Sequence, residues 1–167
     1  NLRTEILDCS ITERRYKFNI NGDKAEAILT SVMKKYPFPD YPNENFCAEG
    51  LIWNRISLEK KLRFFDEAIY VCEYLDDGLS KNSIKNRKTN SNYTLLFYSE
   101  LSKNKQVPFF FKLRTIVNFW RFSFSNDKSF NQKKAMLNNP AFDIILFPIG
   151  FFFHLKDYFF DKVKINQ

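Results

Sequence analysis

Three prolines close together, Pro37, Pro39 and Pro42, limit what this 167-residue chain can fold into more than any other feature. Each removes a backbone donor and pushes its predecessor toward extended angles. The run Tyr36-Pro37-Phe38-Pro39-Asp40-Tyr41-Pro42 is therefore neither helix nor central strand. It reads as a rigid surface loop presenting two tyrosines and a phenylalanine, with separate elements built on either side.

Ahead of the loop, residues 13–20 alternate polar and apolar from Arg15 on, the period of a half-buried strand. Asn21-Gly22-Asp23 supplies turn chemistry. Residues 25–30 fit a helix or a strand equally, and Ser31 is placed to cap a short helix through Tyr36.

Behind it, Asn43 or Asn45 is placed to cap a helix over residues 46–58, with Glu44 near its positive end. Leu51, Ile52 and Ile56 share one face of that helix, Trp53 lies at the edge, and Glu49 falls in the opening turns. Residues 63–65 and 68–74 are aromatic and β-branched, which predicts two short strands with a bend at Asp66-Glu67. Asp76-Asp77-Gly78-Leu79-Ser80 is a turn, and residues 81–92 are a polar, basic loop with room for a helical turn. From Tyr93 the pattern turns helical: residues 93–101, 108–124, a third helix capped by Asp127 through Leu137, and a fourth opened by Asn139-Pro140. Pro148 is expected to kink or end the fourth, with a last segment to about Lys164.

The expected fold class is thus α+β, predominantly helical, with a few short strands before residue 75. The boundary is placed between residues 1–92 and a helical region over 93–167.

Charge separates the two ends. Residues 1–102 hold 15 Lys and Arg against 15 Asp and Glu, whereas residues 103–167 hold 11 against 4 and also 14 of the 20 Phe. A basic, aromatic tail suits an anionic surface. Two readings of it stay open: Phe-rich helices packed on one another, or a monotopic surface for anionic lipid over residues 144–155 with Lys156, Lys162 and Lys164 beside it. Nucleic acid is disfavoured, because the aromatics come in runs and no recognition motif appears.

Cys9, Cys47 and Cys72 are an odd set without paired spacing, so neither a disulfide framework nor a metal clip is expected. A single histidine, His154, makes an all-protein zinc site or a Ser/His/Asp triad improbable. The apolar run at 144–155 is too short to span a bilayer. A start at Asn1 with no basic-then-apolar leader suggests a processed or truncated piece.

Nucleophile elbows, P-loops, dinucleotide fingerprints, zinc helices and EF-hand loops are all missing from the sequence. The remaining chemistry lies with carboxylates. Glu49, beside Gly50 at the start of a helix, has the type and place of a general base, though a carboxylate near a helix N-terminus is also simply favoured by the dipole. Asp76 and Asp77 are an exposed turn that a divalent cation could use.

The stretch NENFCAEGLIWNRI, followed by two strand-like segments and EYLDDGLSKN, resembles the second half of bacterial family 2 glycosyltransferases with the GT-A fold. The upstream GDKAEAILTSVMKKYPFPD is similar to the strand, turn and loop that precede that family's acidic pair. The likeness covers residues 14–83, with its specific part at 44–82. It implies transfer of a sugar from a nucleotide-sugar to an acceptor hydroxyl, saccharide or lipid-linked, usually with inversion, in surface polysaccharide or glycolipid synthesis. By position it implies Glu49 as the base, Trp53 and Arg55 as substrate-side anchors, and Asp77, Gly78 and Ser80 as the turn over the donor diphosphate. Ala48 stands where the first acid of the pair belongs, and Glu49 replaces the usual Asp. The donor-binding half and its Asp-x-Asp ligands for Mn or Mg are not in this sequence, so the piece alone is expected to be inactive. The resemblance places it in the cytoplasm, at the inner face of the cell membrane, and an exposed half-domain invites a homodimer. The competing class is a non-enzymatic peripheral-membrane or partner-binding module.

Overall fold

A computed structural model describes residues 6–22, 24–69, 71, 73, 78, 82–137 and 140–165. It divides into two compact units, one from residues 1–40 with 49–82, the other from residues 41–48 with 83–167. Among the described residues the chain is predominantly helical, with a single two-stranded sheet.

In the first unit, β1 (Ile6–Cys9) pairs antiparallel with β2 (Leu62–Phe65), setting Asp8 opposite Arg63. Arg63 donates from Nε and Nη2 to the two Asp8 carboxylate oxygens at 2.8 Å each. These hydrogen bonds hold the Asp8 carboxyl below its usual range. Helix α1 (Ile11–Tyr16) opens on a capping box. The Glu13 amide donates to Ser10 Oγ and the Ser10 amide donates back to the Glu13 carboxylate, both at 3.0 Å. A one-turn α2 (Thr30–Met33) follows, then α3 (Gly50–Ser57). Leu51, Ile52 and Ile56 of α3 are buried, as is Cys9 of β1. Ser57 Oγ accepts the Ile11 amide at 3.2 Å, tying α3 to α1.

Several expectations for this unit need correction. Residues 13–20 are not a strand: the Ser10 capping box nucleates a helix over the segment whose alternation suggested one, and the strand lies earlier, at β1. The short helix begins at Thr30 after Leu29, not after a Ser31 cap. Helix α3 begins at Gly50, and residues 44–46 bond instead to Asn90, Asn92 and Tyr93. No bend marks Asp66-Glu67, and Ala68, Ile69, Val71 and Glu73 are not in a strand; Tyr70, Cys72 and Tyr74 of that expected strand lie outside the described residues. Glycine is needed at the expected turn: Gly22 has φ 89°, where a side chain is strained.

The second unit holds α4 (Ser83–Thr89), α5 (Ser91–Lys103), α6 (Phe109–Ser123), α7 (Phe130–Met136) and α8 (Pro140–Ile165). Its core joins Leu95 and Tyr98 of α5, Ile116, Phe119, Trp120 and Phe122 of α6, Leu137, and Leu146 of α8. Helix α7 is capped by Ser129, not Asp127, through a second capping box with Gln132. Asn139, the expected cap of α8, is outside the described residues.

Helix α8 continues through Pro148 instead of ending there. A proline inside a helix removes one hydrogen bond, and packing on both sides of it outweighs the loss. Leu146 is in the core, and Gly150 is buried against α6. The Phe147 ring meets Trp120 edge-on at 5.0 Å. Further along, Arg121 of α6 donates from Nε and Nη2 to Asp157 of α8 at 2.7 and 2.6 Å. The same guanidinium lies over the Phe122 and Phe153 rings.

Candidate functional site

Glu49 is the residue immediately before α3, helical in its own backbone, with an exposed side chain. Its carbonyl accepts the Ile52 and Trp53 amides, while its carboxylate makes no capping bond. Trp53, four residues on, shares that face of the helix and is half-buried. Its indole Nε1 is sealed from solvent without a hydrogen-bond partner among the described residues. Arg55, also half-buried, lies in the last turn and projects from the other side of α3. Gly78 forms a bend whose carbonyl accepts the amide and Nδ2 of Asn82, both at 3.3 Å. Asp77 and Ser80 lie outside the described residues. What joins Glu49 to Trp53 is thus the pitch of one helix. Among the described residues no group of His, Cys, Asp and Glu gathers to hold a metal.

A second assembly surrounds the N-terminus of α5. Glu44, expected to favour the start of α3, instead reaches α5. Its Oε1 accepts the Asn92 amide at 2.7 Å and Asn92 Nδ2 at 3.0 Å, and its Oε2 accepts the Tyr93 amide at 3.0 Å. A carboxylate here satisfies orphan helix donors and complements the dipole. Asn90 Oδ1 accepts the Asn45 and Phe46 amides, and its Nδ2 donates to the Asn86 carbonyl. Asn126 donates to Ser91 Oγ and Asn92 Oδ1, which also accepts from Lys128. Asn43, at φ 67°, turns the chain into this docking. The polar groups satisfy one another, so the assembly is a clamp for residues 41–48.

The third assembly is a surface. Along α8 the side chains of Ile144, Ile145, Ile149, Phe152, Leu155 and Phe159 are exposed, Phe152 by 64%. At 100° per residue they fall on one broad arc opposite the face that carries Asp143, Leu146, Gly150 and Asp157. Lys156 interrupts the arc, and its ammonium leans over the Phe160 ring at 5.8 Å. Phe109, Phe110 and Phe111 at the start of α6 are also exposed, Phe110 by 80%. The Phe109 ring meets Phe142 of α8 at 5.3 Å, which brings these phenylalanines to the beginning of the α8 arc.

Charge over residues 103–167 is mainly basic. Of the four acids in residues 103–167, Asp143 and Asp157 are buried, the latter against Arg121. Lys103, Lys105, Arg114 and Lys156 are exposed. Beneath Phe109 and Phe142 lies a cavity of about 280 Å³, lined also by Ser102, Lys103, Lys112, Leu113, Ile116, Leu137 and Asp143. The run at 144–155 had been legible as apolar with basic flanks; the triple phenylalanine of α6 had not, because three neighbouring residues point to three sides of a helix and only packing decides which are covered.

No protein-family model, curated protein or solved structure matches the chain. Among the described residues no helix is long and apolar enough to cross a membrane.

Proposed function

We propose that this protein is a peripheral module that docks on an anionic lipid surface, with α8 lying in the interface plane. The exposed apolar arc of α8 carries this reading. The helix has 26 residues, about 39 Å at 1.5 Å per residue, and water covers an arc of isoleucine, phenylalanine and leucine along it. Removing such a side chain fully from water is worth about 1.5–3 kcal/mol. Several half-exposed ones together supply enough to hold a protein at an interface. Lys156, on the arc itself, suits an ammonium that reaches toward headgroups while its stem stays among acyl chains. The excess of exposed Lys and Arg selects anionic lipid over a second copy of the chain, which would bring like charges together.

Flotation tests the reading. The protein should rise with phosphatidylcholine–phosphatidylglycerol vesicles at low salt, less at high salt, and least with phosphatidylcholine alone. Absence from the vesicle fraction at low salt, with the protein folded, rejects the proposal; a concentration-dependent dimer that does not float would assign the arc to self-association.

A second reading, acceptor-side glycosyl transfer in a GT-A-like enzyme, is supported by the sequence pattern at 44–82 and by the open position of Glu49 beside Trp53 on α3. The donor half and its divalent cation would come from outside this chain. In a complete enzyme, Glu49→Gln would lower kcat by orders of magnitude with donor binding retained. Unchanged turnover would remove Glu49 from the chemistry. The two readings are compatible, since a lipid-linked acceptor is met at a membrane surface.

A further inference from the structure

We propose that the cavity at the start of α6 and α8 seats the phosphate-bearing headgroup of a single anionic lipid. The inference rests on the interfacial reading above and gives it a specific ligand. The cavity has two kinds of wall. Lys103 ends α5 and Lys112 lies in the first turns of α6, so lysines from two different helices line one space, together with Ser102. The rings of Phe109 and Phe142 form the apolar wall and lead outward to the exposed Phe110 and Phe111.

Size and charge restrict the occupant. A volume of about 280 Å³ falls just under the usual range of ligand sites. It admits a phosphate, its glycerol and the first methylenes, and leaves two acyl chains outside, along the phenylalanines. Asp143 also lines the space; it is 1% exposed and sits in the first turn of α8, where the dipole favours its charge. Two lysines against that one carboxylate leave a net positive cavity, which suits one phosphate and gives charge-assisted bonds to its oxygens. The location matters as much: a headgroup held here puts its chains where the α8 arc begins.

The test uses the whole protein with dihexanoyl phosphatidic acid below its micellar concentration, inorganic phosphate, and vesicles. Titration calorimetry should show saturable binding of the short-chain lipid, weakened about tenfold or more by Lys103→Gln with Lys112→Gln, since each charge-assisted bond is strong. Lys60→Gln with Lys85→Gln, which removes the same charge from exposed positions, should bind like the parent, and circular dichroism checks that both variants are folded. Equal binding by the Lys103/Lys112 variant overturns the proposal. So does inorganic phosphate that competes mole for mole with the lipid, which would make the cavity a free-phosphate site. If the parent floats with vesicles but shows no saturable binding of the short-chain lipid, the cavity assignment fails and the interfacial reading stands. Binding without flotation fails the interfacial reading and leaves the cavity assigned.

Discussion

Gly150 of α8 lies so close to Trp120 of α6 that a Cβ at position 150 would come within 2.5 Å of the Trp120 Cβ. The Val117 carbonyl oxygen and the Arg121 amide nitrogen would be 2.9 and 3.0 Å away, so two of the three nearest neighbours are backbone atoms that cannot step aside. This approach keeps α8 on α6 and thereby decides which side of α8 meets water.

Gly150→Ala should therefore destabilise the second unit although alanine is the better helix former by about 1 kcal/mol. Overpacking of this kind costs about 1–3 kcal/mol or more. A lower urea midpoint with an unchanged slope is the expected result.

The Arg121–Asp157 pair secures the same two helices, with side chains only 19% and 7% exposed. Asp157→Asn leaves a buried guanidinium short of its counter-charge and should cost about 3 kcal/mol. Replacing both partners by apolar residues, Arg121→Met with Asp157→Leu, should recover most of that loss. Urea melts of the single and double variants make the comparison.

Glu44→Ala removes an acceptor shared by three donors at the start of α5. A lost N-terminal cap costs about 1–2 kcal/mol. The Asn92 and Tyr93 amides should exchange with deuterium faster than those at the middle of α5, and Glu44→Gln should retain part of the protection.

His154 supplies a pH dependence. Burial, and then the charge of Lys88, hold its imidazole below the ordinary value of 6.5. The ring lies 4.8 Å from that of Phe124, and Nδ1 is buried without a hydrogen-bond partner among the described residues. Below pH 6.5 the unfolded chain takes up a proton that the folded chain resists, so stability falls as pH falls through that value and is fully present above it. Melting temperature measured from pH 7.5 to 5.5 should decline in the parent and decline less in His154→Phe.

Local signals wrote much of the helical half. Pro108 marks a helix start directly, and the aromatic spacing of α6 is helical, but Ser129-Phe130-Asn131-Gln132 spells a capping box that the choice of Asp127 passed over. The misses came from competition. At α1, Ser10-Ile11-Thr12-Glu13 spells a capping box, and that box outweighs the alternation that follows it. Pro148 is a local breaker overruled by the contacts of Leu146 and Gly150 with α6. Glu44 is a poor guide to α3 because its partners lie 48 and 49 positions away. The surface was only half legible for a related reason. An α8 apolar on nearly every side does not disclose which side its neighbours cover, and the cavity draws Lys103 and Lys112 from separate helices.

Whether α8 lies in lipid can be read from depth. Phe152→Trp places an indole at the middle of the exposed arc, and the parent, with half-buried Trp53 on α3 and Trp120 buried in the core, sets the background. Vesicles of phosphatidylglycerol carrying brominated acyl chains quench only an indole that enters the hydrocarbon. Interfacial docking predicts strong quenching of the Phe152→Trp signal, greatest with bromines near the headgroup end of the chain and weak with bromines near the bilayer centre. Fluorescence that stays unquenched while the vesicles and protein are mixed at low salt would contradict the account and place the arc against something other than a membrane.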